Sequence, residues 1–254
     1  MIFKGLPPSW LPESAPQIIS GQWGYGGRTE DIINCHFQEI PENGADAHHL
    51  MSLHKSSVLI GKYFGSWTDW KITEWLVGCH EWTGTWLPGV APTAHIADVG
   101  LYQKFFMFGL NVLTVDFEIK QIGPTLVVLI FRSKNFGGFE GAYVQAIMPL
   151  DVNKQRIIHQ VYMKQSLFGK LMSKFMLHGQ SGMVSCDFWL RDDQLIFISM
   201  QLERDILMWT HKKYLKAPVL VKEEKTLAKF RQWYAQFYSP NSPLKFERKD
   251  DLDW

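Results

Sequence analysis

"VLTVDFEIKQIGPTLVVLIFRS", residues 112–133, holds two runs of β-branched and aromatic residues separated by little more than Gly123 and Pro124. A Gly-Pro pair marks a turn. A connection this short favours two antiparallel strands over a βαβ unit, whose crossover needs a dozen residues or more. Similar runs occur at 32–40 (IINCHFQEI), 57–64 (SVLIGKYF), 74–82 (EWLVGCHEW), 142–150 (AYVQAIMPL) and 156–163 (RIIHQVYM). Gly, Pro and Asn clusters punctuate them.

Helical spacing is confined to a few places. Residues 42–54 read as a helix begun after "IPENG". Residues 164–178 carry Leu167, Leu171 and Phe175 at i+4 steps, and 202–215 (LERDILMWTHKKYL) leads past Pro218 to 222–238. In that last stretch Leu227, Phe230, Trp233, Tyr234 and Phe237 make one apolar stripe, read as core packing. Strands in succession with helices gathered elsewhere predict an α+β fold: a curved antiparallel β-sheet with helices packed on it. The domain division expected is a linker over 1–27, a main domain over 28–238, and a polar surface tail over 239–254.

At 254 residues and 46% hydrophobic, the chain can bury a substantial core. A net charge of +1 supplies no field to steer nucleic acid or an anionic membrane, so no nucleic-acid partner is expected. The 11 Trp and 17 Phe suit either an aromatic core or the lining of an apolar ligand cavity. Cys35, Cys79 and Cys186 lie far apart without a CxxC pair, which argues against a disulfide framework and a cysteine zinc site and fits a reducing, intracellular compartment. The first 17 residues have no apolar signal-peptide core, and no uncharged run approaches the ~18 residues of a membrane span.

The chemistry concentrates in "ENGADAHHLMSLH", residues 42–54. Neutral imidazoles bind iron, zinc, copper and nickel, and a carboxylate adds charge and an oxygen donor. His49 and His54 are five residues apart, about 140° around an ideal helix, so sharing a metal requires a helix end between them. Asp46 and His49, at i and i+3, share a helix face. Two histidines do not complete a site. On spacing alone the cluster is either part of a metal centre whose third ligand is distant in sequence, or a set of packed and solvated histidines.

Asp-x-x-His-x-x-x-x-His following Glu42-Asn43 resembles the catalytic-domain signature of the Rieske non-haem iron oxygenases. Within that family, "GRTEDIINCHFQEIPENGADAHHLMSLH", "ERDILMWTHKKYLKAPVLVKEEKTLAKFRQWYAQFYSPNSP" and the final "LDW" are similar to the corresponding blocks of the cholesterol 7-desaturases. The resemblance implies a helix-grip sheet and a mononuclear Fe(II) bound by His49, His54 and Asp205, the last in "ERDILMW". It implies that Asp46 links this centre to the Rieske [2Fe–2S] cluster of a neighbouring subunit, by a carboxylate bridging two imidazoles. The implied reaction is O₂-dependent removal of hydrogens from C7 and C8 of cholesterol, giving 7-dehydrocholesterol. Electrons would come from NAD(P)H through an electron-transfer reductase, and the assembly would be a homotrimer. His36 and His48 have no role under the resemblance and are expected to be packed or surface residues. Glu203 and Arg204 are expected to make contacts other than metal ligation.

Two features depart from the family pattern. A Rieske cluster needs C-x-H and C-x-x-H ligand pairs, and neither occurs in this chain. The Rieske domain and membrane anchor, with the endoplasmic-reticulum association they imply, are therefore expected to belong to a longer protein of which this is a piece, or the cluster to a separate subunit. Second, "VSCDFWLRDDQLIFISMQ" (184–201) is unlike the family at that point, and reads either as retained intron sequence or as a strand ahead of the helix carrying Asp205. Two alternatives stand beside the desaturase: another steroid-acting Rieske oxygenase such as a hydroxylase, and a redox-inactive sterol- or lipid-binding module.

Overall fold

The computed structural model describes residues 11–12, 14–55, 75, 78–135, 138–166, 169–170, 173, 199–211 and 225–238. Within them lie seven strands: β1 (Trp23–Ile33), β2 (Cys79–Pro88), β3 (Ile96–Met107), β4 (Leu110–Ile122), β5 (Leu126–Ser133), β6 (Phe139–Asp151) and β7 (Lys154–Lys164). The helices are α1 (Pro16–Ile19), α2 (Glu39–Glu42), α3 (Ala47–Leu53), α4 (Ser199–His211) and α5 (Lys225–Tyr234), the last running into a 3₁₀ turn, Ala235–Phe237.

The two runs of 112–133 form the β4–β5 hairpin, with Ile122 opposite Leu126. Gly123 takes φ +60° in the connection, a conformation glycine adopts without strain. Every neighbouring pair is antiparallel, in the order β1-β7-β6-β5-β4-β3-β2. Strands β2 to β7 thus form a meander, and β1 closes the order by pairing with the last strand.

Because side chains alternate across a strand, register decides which residues meet the helices. One cross-strand row runs Trp86, Val99, Ile119, Leu129, Tyr143, Val161. Helix α5 covers its β2–β4 end, with Phe230, Trp233 and Tyr234 packed against Trp86, Ala97, Val99 and Ile119. Helix α4 covers the β1–β7 end through Trp209, packed on Ile33, Ile147 and Ile157. Burial of one such side chain contributes about 1.5–3 kcal/mol. The aromatic surplus therefore goes largely into core. Trp86 is in ring contact with Phe230 and Trp233, both of which touch Tyr234, and Phe37, Phe237 and Tyr238 extend the cluster.

Several local expectations are corrected. The strand expected at 32–40 ends at Ile33, and 39–42 is helical. The Cys35 carbonyl is taken by the buried Gln155 side chain at 2.9 Å, so this backbone bonds to a side chain instead of continuing a ladder. Strands β1 and β3 are barely legible in the sequence, because glycines and outward charges dilute their alternation. The run at 74–82 contributes only its last residues, to β2. Residues 57–64 and most of 164–178 lie outside the described residues. Helix α5 falls where the 3.6-residue stripe places it, with four of the five stripe residues buried, and α4 overlaps the helix expected over 202–215.

Candidate metal centre

The metal-bearing segment is built from α2 onward. A chain of turn hydrogen bonds, Gly44 N–H to the Pro41 carbonyl, Ala45 to Glu42 and Asp46 to Asn43, carries the backbone out of α2. The turn seats on Gln121 of β4, whose amide donates to the Pro41 carbonyl at 2.6 Å and accepts from the Trp86 indole at 2.7 Å. Gly44 lies so close that an added Cβ would sit 2.3 Å from that amide nitrogen, so a side chain here would displace the Gln121 amide.

Asp46 is the N-cap of α3, its Oδ1 accepting from the backbone N–H groups of His48 and His49 at 3.1 Å each. Such a cap is worth roughly 1 kcal/mol. The His49 ring Nδ1 meets the Asp46 backbone carbonyl. A carbonyl only accepts, so Nδ1 carries the proton and Nε2 keeps its lone pair. Burial lowers the His49 pKa, opposed by the charge of Asp205. The imidazole is thereby held neutral, the form that ligates metals.

Helix α3 stops one residue before His54, whose backbone leaves helical geometry at φ −110°. This break lets the two histidines converge despite their 140° offset, with ring centroids 5.4 Å apart and nearly perpendicular. The Trp82 indole of β2 donates to the His54 carbonyl at 3.1 Å and holds the break in place. From α4, Asp205 brings its Oδ1 to 3.0 Å from His54 Nε2. One ligand atom from each of His49, His54 and Asp205 lies within 4.8 Å of the others. His54 is buried and the other two partly so. Two imidazoles and one carboxylate on converging elements fit the two-histidine, one-carboxylate donor set of non-haem iron.

Of the remaining residues singled out in the sequence, His48 is exposed. His36 is buried against Phe37 and accepts the Gln38 N–H, and burial pushes its pKa down to about 4. Ser199–Gln201 form the start of α4, while 184–198 lie outside the described residues. Sequence reasoning missed the capping role of Asp46, although an aspartate opening a helical run is itself an N-cap signal. It also missed the clamp in which Arg231 of α5 grips Glu42 through two hydrogen bonds, at 2.9 and 2.8 Å. No local signal links residues 189 positions apart. A groove of about 740 Å³, lined in part by Thr85, Tyr102, Asp116 and Arg132, lies apart from the three converging ligands, none of which lines it.

A meander sheet carrying this donor set on its helix-covered side has the architecture of a Rieske oxygenase catalytic domain. Solved structures of that fold include dicamba monooxygenase bound to dicamba (TM-score 0.54, 6% identity, 91% of this chain and 63% of that one). The QL mutant of Pseudomonas putida CBB5 NdmA with caffeine is another (TM-score 0.51, 9% identity, 89% and 53%). Residues 3–238 match the family described as the 3-ketosteroid 9alpha-hydroxylase C-terminal domain, and the chain belongs to that family. It is 33% identical to the cholesterol 7-desaturase of Xenopus laevis over 98% of its length and 34% identical to that of Drosophila melanogaster over 93%. These relatives agree with the resemblance drawn from the sequence. The chain spans about half of each, 50% and 49%. Among the described residues no helix is long and apolar enough to cross a membrane.

Proposed function

We propose that this chain is the catalytic portion of a sterol 7-desaturase that converts cholesterol to 7-dehydrocholesterol with O₂. The observation that carries the reading is the convergence of His49, His54 and Asp205 in a chain similar to cholesterol 7-desaturases along nearly its whole length. These three residues would hold a mononuclear Fe(II), which when bound supplies O₂ activation and one-electron chemistry. The residues themselves do the positioning. The Asp46 carbonyl fixes the His49 tautomer, Trp82 holds the helix end at His54, and Asp205 adds the negative charge that favours a dication. Electrons would reach the site from NAD(P)H through a reductase and a [2Fe–2S] Rieske domain, contributed by a neighbouring subunit of a homotrimer. Membrane association is proposed for the complete protein only.

The test is product analysis of this chain joined to its Rieske domain and supplied with reductase, NADPH and cholesterol. Formation of 7-dehydrocholesterol is expected. The family description makes a steroid hydroxylase the second reading, and a hydroxylated product without desaturation would select it.

Asp46 is proposed as the electron link. Its Oδ2 has no partner among the described residues, while its backbone carbonyl touches the ligand His49. Asp46→Asn keeps the cap, since asparagine caps as well as aspartate, but removes the charge. The variant is expected to fold and bind iron as the parent does, and to lose turnover by about 10–100-fold, the cost typical of a disrupted carboxylate beside a metal ligand. Normal turnover in Asp46→Asn would remove Asp46 from the electron path.

A further inference from the structure

On the covered face of the sheet, beyond the metal ligands, one cross-strand row is polar: Thr29 of β1, His159 of β7 and Gln145 of β6 stand directly opposite one another. Alternate residues of β7 confirm the facing, since Gln155, Ile157, His159, Val161 and Met163 are its buried set. His159 is 1% exposed, stacks on Tyr143 at 4.9 Å, and has Nε2 3.0 Å from Gln145 Oε1. That oxygen only accepts, so the proton sits on Nε2 and Nδ1 presents a lone pair. Burial drives the pKa of His159 down to about 3, so the ring stays neutral.

Nδ1 has no partner among the described residues, and neither has Thr29 Oγ1 opposite it. Asp31 Oδ2, one same-face position along β1, and Trp209 Nε1 on α4 are also buried and unpaired among those residues. Buried polar atoms are nearly always satisfied, and the unpaired Thr29 Oγ1 and His159 Nδ1, on directly opposed residues, call for a shared polar partner. The walls there are apolar: Trp209 with Ile33, Ile147 and Ile157. Trp209 is one turn of α4 beyond Asp205 on the same helix face, about 6 Å along the axis. The polar row lies a further strand repeat from Ile157, about 7 Å. The spacing suits a rigid, mostly apolar molecule with one hydroxyl, reaching from the row toward the metal.

We propose that Thr29 and His159 form the polar end of the substrate cavity and hold the single hydroxyl of an otherwise apolar polycyclic substrate, which donates to His159 Nδ1 and shares a hydrogen bond with Thr29 Oγ1. Gln145 and Tyr143 are positioning residues that fix the tautomer and plane of the imidazole. Identifying the substrate as a 3-hydroxysterol rests on the sterol reading above; the polar end itself does not.

The test compares dissociation constants of cholesterol and of cholest-5-ene, which lacks the hydroxyl, on the iron-loaded chain by quenching of tryptophan fluorescence. The parent is expected to prefer cholesterol about tenfold or more, the worth of one or two well-made hydrogen bonds. Thr29→Val, which preserves volume, and His159→Phe, which preserves the aromatic stack, are each expected to bring the ratio to within about twofold. They should do so by weakening cholesterol alone. Because the readout is a ratio within one folded variant, a general loss of stability does not mimic it, and Thr29→Val decides the matter should His159→Phe not fold. Equal affinity of the parent for both sterols, or an unchanged ratio in Thr29→Val, means that the row holds water only and overturns the inference while leaving the sterol reading intact. A parent that binds neither sterol overturns the sterol reading as well.

Discussion

Asp205→Ala is expected to lower the iron retained by the purified, anaerobically loaded chain from about one atom to less than about a tenth, a loss of at least 100-fold in affinity. The reason lies in the donor set. His49 and His54 come from one short segment, and Asp205 is the only converging ligand from another part of the chain among the described residues. Removing it leaves two imidazole donors, neither of which brings a negative charge to balance a dication. It also removes the 3.0 Å contact between Asp205 and the buried His54 Nε2. Asp205→Asn, which keeps shape and an acceptor oxygen but not charge, should fall between parent and Ala. Metal analysis with circular dichroism distinguishes iron loss from unfolding. Full iron occupancy in a folded Asp205→Ala protein would show that the carboxylate lies elsewhere, and Glu203→Ala is the informative control, expected to retain its iron.

The parts of this centre differ in how legible they are in the amino-acid sequence. Hairpin β4–β5 and the α5 stripe are local patterns, alternation with a Gly-Pro turn and a 3.6-residue period, and both read out directly. His49, His54 and Asp205 are reached through family resemblance, because no local rule joins residues 151 apart. Spacing alone even argues against the pair of histidines, and it is the end of α3 between them that reconciles the two. Strand β1 is obscured because Gly24, Gly26 and Gly27 interrupt it and Arg28 and Glu30 point outward, although register sets Thr29 and Asp31 on the covered face. The stretch around Cys35 misleads in the opposite direction. Its composition suits a strand, but the side chain of Gln155, from the neighbouring strand β7, claims its carbonyl. In each case tertiary partners override a local preference.

The second large effect is expected at two residues that are not ligands, at the clamp between Glu42 and Arg231. The Glu42 side chain is 5% exposed and that of Arg231 22%, and two hydrogen bonds join them in the fork geometry that favours arginine over lysine. Glu42 also accepts from Gln38, whose own oxygen takes the Tyr238 hydroxyl at 2.5 Å, so one carboxylate ties α2 to α5 and to the residue that follows it. Glu42→Gln takes the Glu42 charge away from a guanidinium in a largely dry site. Breaking a fully buried pair costs about 3–5 kcal/mol, and the partial exposure of Arg231 brings this to about 2–3 kcal/mol. In a domain of this size that lowers Tm by roughly 5–10 °C. Thermal unfolding of Glu42→Gln, Arg231→Met and the double variant isolates the pair. The double variant should be less destabilised than the sum of the singles by about 1 kcal/mol or more, since it removes the stranded charge along with its partner. Strict additivity would mean that the two side chains do not act as a unit. The clamp also bears on the metal, because the Glu42 carbonyl accepts from Ala45 N–H in the turn that delivers Asp46 and His49. Glu42→Gln should therefore weaken iron retention while every ligand remains in the chain, and Arg231→Met, which acts on the same turn from α5, should weaken it in the same direction.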